Sequence, residues 1–570
     1  MSPNSGRPQR QAKDEVNQSN PGAPPGTIAP RLRLLAPPPH RVPCWARFMS
    51  KRFYLTTAID YTNGAPHLGH AYEKVIADVI ARAQRSFGTN VFFLTGLDEH
   101  GTKVQQAAQT AGKSPQAFCD ELAIEWQAFA QTLGLSNDDF VRTTQPRHRE
   151  VVQAILTKLH QAGEIYQASY EGWYSARQET FLTEKDQLPD GSWDPIYGDV
   201  VKLVEENWYF RLGKHQAWLI DFLETHPSFV QPDYRRNEVL GFLRKEPLAD
   251  LCISRPAHRL NWGIPLPFAP EWVTYVWFDA LVNYYTVPAS LGDATALAPL
   301  QGFLDRPTTA LSLWPADLHV IGKDIVKFHA VYWPIMLRAL GAPLPKQLLV
   351  HGWWQKDGSK IAKSTGNIVD PVAVIREWGL DAFRYYVVRE LAIGPDGNWT
   401  DAGFIARYNA ELANGLGNLL NRSVSMLNRY RQGVVPEISR ELAPDAETAV
   451  RAAEAALRTN QLQDALLAIW TLVNRANKYV EETRPFDLNK DPAQAARLDA
   501  VLYNLVETCR VLGVLLWPFI PGTAEKIYAQ LKVCGEVDQW GATAWGGLLP
   551  GHTIGSAVPL FPKKEPAKAP

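Results

Sequence analysis

The sequence predicts an α/β protein in which a split Rossmann-type parallel sheet carries an inserted domain and is followed by an all-α helical bundle. Three observations lead there. First, the runs FYLTTAI and NVFFLTG are apolar almost throughout, as strands covered on both faces are. Between them Tyr72, Val75, Ile76, Val79, Ile80 and Ala83 recur at helical spacing, so the segment reads as one βαβ unit. Second, strand-like runs return only much later, as LHVIG and QLLVHGW, around a helix predicted over 325–340. Third, from about residue 401 the chain reads as helices to its end, in ARYNAELANGLGNLLNRSVSMLNRY, QLQDALLAIWTLVNRANKYVEE and LDAVLYNLVETCRVLGVLLWPF.

The elements follow in order. Residues 1–48 are rich in Pro, Gly and Arg, hold no period, and are predicted to be disordered. They carry seven Lys/Arg against two Asp/Glu. Two readings of them stay open: an upstream extension with the true start at Met49, or an organellar transit peptide. Residues 51–165 form the first half of the Rossmann domain, with a helical stretch expected over roughly 114–163. Residues 166–265 break the pattern with aromatics, turns such as PDGSWD and the helical WLIDFLETH, and are assigned to the insertion. The second Rossmann half spans 266–365, a stem-contact region 366–400 and the helical domain 401–560.

Composition limits the function. The chain has 570 residues, enough for three or more domains, with 46% hydrophobic and 21% charged residues. Net charge is −1, and without residues 1–48 the balance is 51 basic against 57 acidic. A nucleic-acid partner would therefore need local basic patches. The five cysteines form no CxxC pair, which argues against a disulfide framework and a thiolate metal knuckle. No run of eighteen apolar residues exists, so no membrane span is expected.

Two motifs carry chemistry. His67-Leu68-Gly69-His70 falls where a strand hands over to a helix, whose N-terminus offers N–H groups and partial positive charge to a phosphate. Gly69 lets a nucleotide approach the backbone, and both imidazoles can donate to phosphate oxygens. After the last sheet strand, WWQKDGSKIAKSTGNIVDP sets Lys360, Lys363 and Ser364 behind the turn signal Asp357-Gly358, on a loop able to reach a triphosphate. Alone, either motif also fits a bland reading: capping histidines or a solvated basic loop. Together on one split Rossmann domain they form a much rarer combination.

These residues resemble class I aminoacyl-tRNA synthetases: the first matches the HIGH signature and KIAKS resembles KMSKS. The similarity is closest to the methionyl branch, over about 51–562, through TTAIDYTNGAPHLGHAYE, TGLDEHGTKV, YVWFDALVNYY, HVIGKDIVKFHAVYWPIML and GNIVDP. The resemblance implies methionine activation by ATP and transfer to the 3′ end of tRNA(Met), initiator included. It implies catalytic roles for His67, His70, Lys360, Lys363 and Ser364. It places adenosine and ATP on Gly69, Glu73, Gly322, Asp324, His351 and Lys363. Methionine falls on Ala58, Ile59, Tyr61, Asp98, Trp277, Ala280, Leu281, Tyr284, Ile325 and His329, with Asp98 taking the ammonium. Aromatic and apolar walls suit a polarizable thioether. Mg²⁺ is expected with ATP.

Three departures stand out. Ile361-Ala362 replace Met-Ser in the KMSKS-like loop. Ala176 and Gln178 stand where relatives carry zinc cysteines, so no structural zinc is expected. Pro485-Phe486 replace a Pro-Trp pair; with Asn418 and Arg422, Phe486 is expected to read the anticodon. The sequence ends with VPLFPKKEPAKAP, no appended OB-fold is expected, and a monomer is expected, in the cytoplasm unless residues 1–48 address an organelle. Competing readings are a synthetase for leucine, isoleucine or valine, which would want a longer insertion, and a cysteine enzyme, which would want a metal-thiolate pocket. A small-cofactor nucleotidyltransferase would leave the helical third without purpose, and intact His67, His70 and Lys363 disfavour a non-catalytic tRNA-binding paralogue.

Overall fold

The structure is a computed structural model that describes residues 52–62, 64–175, 180–182, 186–188, 190–356, 358–360, 369–535 and 537–564. The segment 1–48, Ile361-Ala362, Lys363, Ser364, Ala176 and Gln178 lie outside the described residues. At its centre is a parallel sheet ordered Asp60–Tyr61, Val91–Asp98, Phe53–Thr57, Leu318–Gly322, Leu348–His351, Val230–Gln231, with Asp139–Arg142 also paired to Val91–Asp98. The order reverses between Phe53–Thr57 and Leu318–Gly322, which pair directly through Leu55 and Leu318. Such a switch point opens a crevice beyond the carboxyl ends of the strands.

The first strand-and-helix elements form where the sequence pattern puts them. Val91–Asp98 is buried along its whole length, as its apolar run requires. Leu68–Ser86 packs Val75, Ile76, Val79, Ile80 and Ala83 into the core. The helix expected over roughly 114–163 is two helices, Pro115–Thr132 and Pro146–Gln161, with the strand Asp139–Arg142 between them. Gly134, at φ +64°, stops the first helix, and Pro146 opens the second. The expected helix over 325–340 is a 3₁₀ turn at Lys323–Ile325, a π-turn at Phe328–Tyr332 and the α-helix Trp333–Leu340.

Within 166–265, Ile165–Ser175 and Val200–Phe210 pair antiparallel over eleven residue pairs, in a sheet with Thr180–Leu182 and Leu251–Cys252. The chain also returns from this span to the main sheet, where Val230–Gln231 add an edge strand beside Leu348–Leu349. Beyond the main sheet, Trp354–Lys356 pairs with Ser359–Lys360 and with Gly397–Trp399. A further three-stranded antiparallel sheet joins Ser254–Pro256, Ala269–Thr274 and Pro265–Leu266, and from Asp401 on the described elements are helical. Ala495–Leu516 is buried on nearly every face, which makes it the central helix of the bundle.

One buried ion pair ties these parts together. Arg384, on the helix Leu380–Glu390, lies 2.7 Å from Asp78 on the helix Leu68–Ser86, both fully buried. The guanidinium also donates to the carbonyls of Leu133, Pro518 and Phe519. Burial alone would raise the Asp78 carboxyl, but Arg384 and Arg82 bring it down to about 2. Arg384→Met leaves the Asp78 carboxylate to Arg82 and Ser136 and takes the donor from three buried carbonyls, so a loss of about 3 kcal/mol is expected. A clear fall in thermal midpoint, partly restored in Arg384→Met/Asp78→Asn, is the check.

Candidate active site

The carboxyl ends of four strands converge on one cavity of about 740 Å³. Ala58 follows Phe53–Thr57, while Asp98, Gly322 and His351 end their own strands. Every residue expected to touch ATP or methionine whose side chain is described lines this cavity, and so do His67 and His70.

The histidine pair is set by backbone chemistry. His67 caps the helix Leu68–Ser86: its Nδ1 accepts from the Gly69 amide at 3.0 Å. The His67 amide donates in turn to His70 Nδ1 at 3.2 Å. An amide only donates, so both Nδ1 atoms accept and each neutral ring carries its proton on Nε2. The rings stack 3.8 Å apart, and Trp126 meets His70 edge-on. Gly69 is needed for this arrangement: a Cβ there would sit 3.0 Å from the His67 ring.

On the same helical face, Glu73 faces His351 Nε2 at 3.1 Å, and His351 Nδ1 donates to the Gly352 carbonyl. Glu73 is also 3.7 Å from the buried Lys74, which pairs with Asp60 at 2.8 Å. Burial outweighs this lysine and pushes the Asp60 carboxyl up to about 7. Neither Asp60 nor Lys74 was expected at the site; a lysine directly after Glu73 on a cavity-facing helix was the available signal. Across the cavity, Asp324 accepts from Trp353 Nε1 at 3.1 Å, and a Cβ on Gly322 would lie 2.6 Å from the Asp324 carboxylate. Lys323 pairs with Asp396 at 2.7 Å and lies over the Trp353 ring.

The other end of the cavity has an apolar wall. Trp277, Ala280, Leu281 and Tyr284 lie at i, i+3, i+4 and i+7 along the consecutive helices Val276–Leu281 and Asn283–Ser290. Trp277 stacks flat on Phe328, centroids 3.7 Å apart, a partner missed from sequence although it adjoins His329. His329 Nδ1 donates to the Ile325 carbonyl at 2.9 Å, so its Nε2 accepts the Tyr284 hydroxyl at 2.7 Å. Burial lowers the His329 pKa to about 4 and raises that of Tyr284, which leaves both neutral near pH 7. Asp98 stands beside this wall with Oδ1 buried and without a hydrogen-bond partner. Burial first, then the nearby Asp279 and Glu99, raise its carboxyl well above the usual range.

Lys360 sits in the short strand beyond the main sheet, its backbone paired with Gln355, which lines the cavity. Among the described residues no group of three or more His, Cys, Asp or Glu could hold a metal ion. No helix of the described residues is long and apolar enough to cross a membrane.

A family model described as tRNA synthetases class I (M) matches residues 53–192 and 193–424, and one described as the anticodon binding domain of methionyl tRNA ligase matches 431–568. The chain belongs to the methionyl-tRNA synthetases of class I. It is 43% identical over 532 residues to the methionine–tRNA ligase of Bacillus subtilis, covering 90% of this chain and 78% of that one. With the corresponding ligase of Caldanaerobacter subterraneus it shares 42% identity over 527 residues, 91% of this chain and 80% of that one. The Mycobacterium tuberculosis methionyl-tRNA synthetase in complex with methionyl-adenylate superposes with a TM-score of 0.81 at 37% identity, over 90% of this chain and all of that one. The apo form of the same enzyme gives 0.77 at 35% identity, over 90% and 99%. As a member of this family the chain is an ATP-dependent methionine–tRNA ligase, with methionine and tRNA as substrates.

In the helical domain, Asn418 is exposed and Arg422, one turn later on Asn418–Arg431, is half-buried. Phe486 is 44% exposed beside buried Pro485, with the Arg484 guanidinium 5.9 Å from its ring centroid. An aromatic ring open to solvent is not serving as core packing.

Proposed function

We propose that methionine binds with its ammonium on Asp98 and its thioether against Trp277, Ala280, Leu281, Tyr284, Ile325 and His329, with Ala58, Ile59 and Tyr61 closing the same end. ATP takes the other end, its adenosine among Gly69, Glu73, Gly322, Asp324 and His351, its phosphates toward His67 and His70. The methionine carboxylate attacks the α-phosphorus, pyrophosphate leaves, and the methionyl group of the adenylate then passes to the terminal adenosine of tRNA(Met). A carboxylate needs no general base, so catalysis consists of alignment and charge stabilisation. The two Nε2–H groups donate to the phosphate oxygens as negative charge grows there. Lys360, Lys363 and Ser364 are assigned to the same task by their motif.

Magnesium bound with ATP would supply charge neutralisation on the phosphates. The observation that carries the reading is the orphaned Asp98 Oδ1 beside an uncharged apolar wall, a site shaped for an ammonium and a thioether. ATP–pyrophosphate exchange with each amino acid in turn tests it: exchange with methionine alone supports the assignment, and exchange driven equally by leucine or cysteine overturns it.

The anticodon is assigned to Asn418, Arg422 and Phe486, with elongator and initiator tRNA(Met) as acceptors. Phe486→Ala is expected to cost about 1–3 kcal/mol of tRNA recognition through lost stacking. It should lower kcat/KM for tRNA charging while methionine-dependent exchange is unchanged. The proposed setting is a monomer in the cytoplasm; sedimentation of the purified protein at the mass of one chain supports the first, and a dimer would overturn it.

A further inference from the structure

Behind the apolar wall lies a buried ionic cluster with no direct access to the cavity. Asp279 belongs to the same helix as Trp277, Ala280 and Leu281 and is fully buried. Its Oδ2 lies 2.6 Å from His100 Nδ1 and its Oδ1 2.6 Å from His148 Nε2. A carboxylate only accepts, so each facing ring nitrogen carries a proton. His148 comes from the helix Pro146–Gln161, and its Nδ1 lies 2.8 Å from the Thr286 hydroxyl on the helix Asn283–Ser290. His100 follows the strand Val91–Asp98, two positions after Asp98, and its backbone lies close enough to the Asp98 carboxyl to oppose the rise in its pKa. One residue thus adjoins the ammonium acceptor along the chain and holds the wall helix with its ring. Glu99, between them, is turned away onto Arg142 and Thr144.

We propose that Asp279, His100 and His148 form a buried positioning triad that sets methionine recognition, by fixing the distance between the Asp98 carboxylate and the Trp277–Leu281 wall. The inference rests on reading this end of the cavity as the methionine site. A fully buried carboxylate is costly to keep unless each oxygen is paired, so the cluster has one well-defined geometry. Losing the His100 contact releases the wall helix from the strand end, and losing the His148 contact releases it from the helix Pro146–Gln161 that backs it. The ATP end, built on Gly69, Glu73, Gly322 and His351, shares no residue with the triad.

Steady-state ATP–pyrophosphate exchange on the full chain tests this with Asp279→Asn, His148→Phe and His148→Gln, and with Asp98→Asn as a marker of the methionine site. Gln can place its amide N–H where the His148 Nε2–H lies. Asp279→Asn and His148→Phe are expected to raise the KM for methionine by up to about 100-fold, the effect of a small misplacement. The KM for ATP stays within about twofold, and His148→Gln recovers most of the loss. An unchanged methionine KM in Asp279→Asn, or equal rises in both KM values, overturns the proposal. If Asp279→Asn does not fold, the comparison of His148→Gln with His148→Phe decides: equal methionine KM values in the two overturn it. An unchanged methionine KM in Asp98→Asn overturns the reading of the cavity itself rather than the triad.

Discussion

His70→Ala is expected to lower exchange at saturating methionine and ATP by on the order of 100- to 1000-fold, the loss of one preorganised donor to a developing oxyanion. The KM values should move little, because the contact strengthens as charge builds on the phosphates and not in the bound substrates. His67 needs a finer test, since its Nδ1 also caps the helix through the Gly69 amide. His67→Ala should therefore lose rate and about 1 kcal/mol of stability, while His67→Asn keeps a capping oxygen and should lose rate alone. Thermal melts beside exchange kinetics separate the two effects. A His67→Asn variant with wild-type turnover would remove that imidazole from the chemistry.

Asp98→Asn is expected to weaken methionine by about 3 kcal/mol, roughly 100-fold in Kd, because a buried ammonium loses its charged partner. ATP binding should be unaffected, as read by titration calorimetry with each ligand separately. A pH dependence goes with it. Burial, Asp279 and Glu99 hold the Asp98 carboxyl well above its usual pKa in the unliganded protein. The ammonium binds the ionised form, so methionine affinity should rise as pH rises through that elevated value, and Asp98→Asn should abolish the rise. A wild-type affinity flat over that range, or one that falls, contradicts the assignment.

Much of this was legible in the sequence because it depends on local order. His67-Leu68-Gly69-His70 falls at a strand-to-helix junction, where a cap forms from local order, and the i, i+3, i+4, i+7 spacing of Trp277, Ala280, Leu281 and Tyr284 sets one wall. What escaped depends on contacts between distant segments. Lys74 looks like an ordinary helical lysine until the sheet brings Asp60 to 2.8 Å. Phe328 becomes a wall residue only because a π-turn carries it onto Trp277. The strand Asp139–Arg142 was hidden because four residues between two long helical patterns carry too little periodicity to register. Asp279 lies 179 residues from His100 and 131 from His148, so no spacing rule could have joined them.

The most direct measurement is a crystal structure of the protein with a non-hydrolysable methionyl-adenylate analogue. The ammonium should lie within hydrogen-bond distance of Asp98 Oδ1, the thioether against Trp277 and His329, and the phosphate mimic beside His67 and His70 Nε2. An analogue bound elsewhere, or bound here with its ammonium turned away from Asp98, contradicts the account.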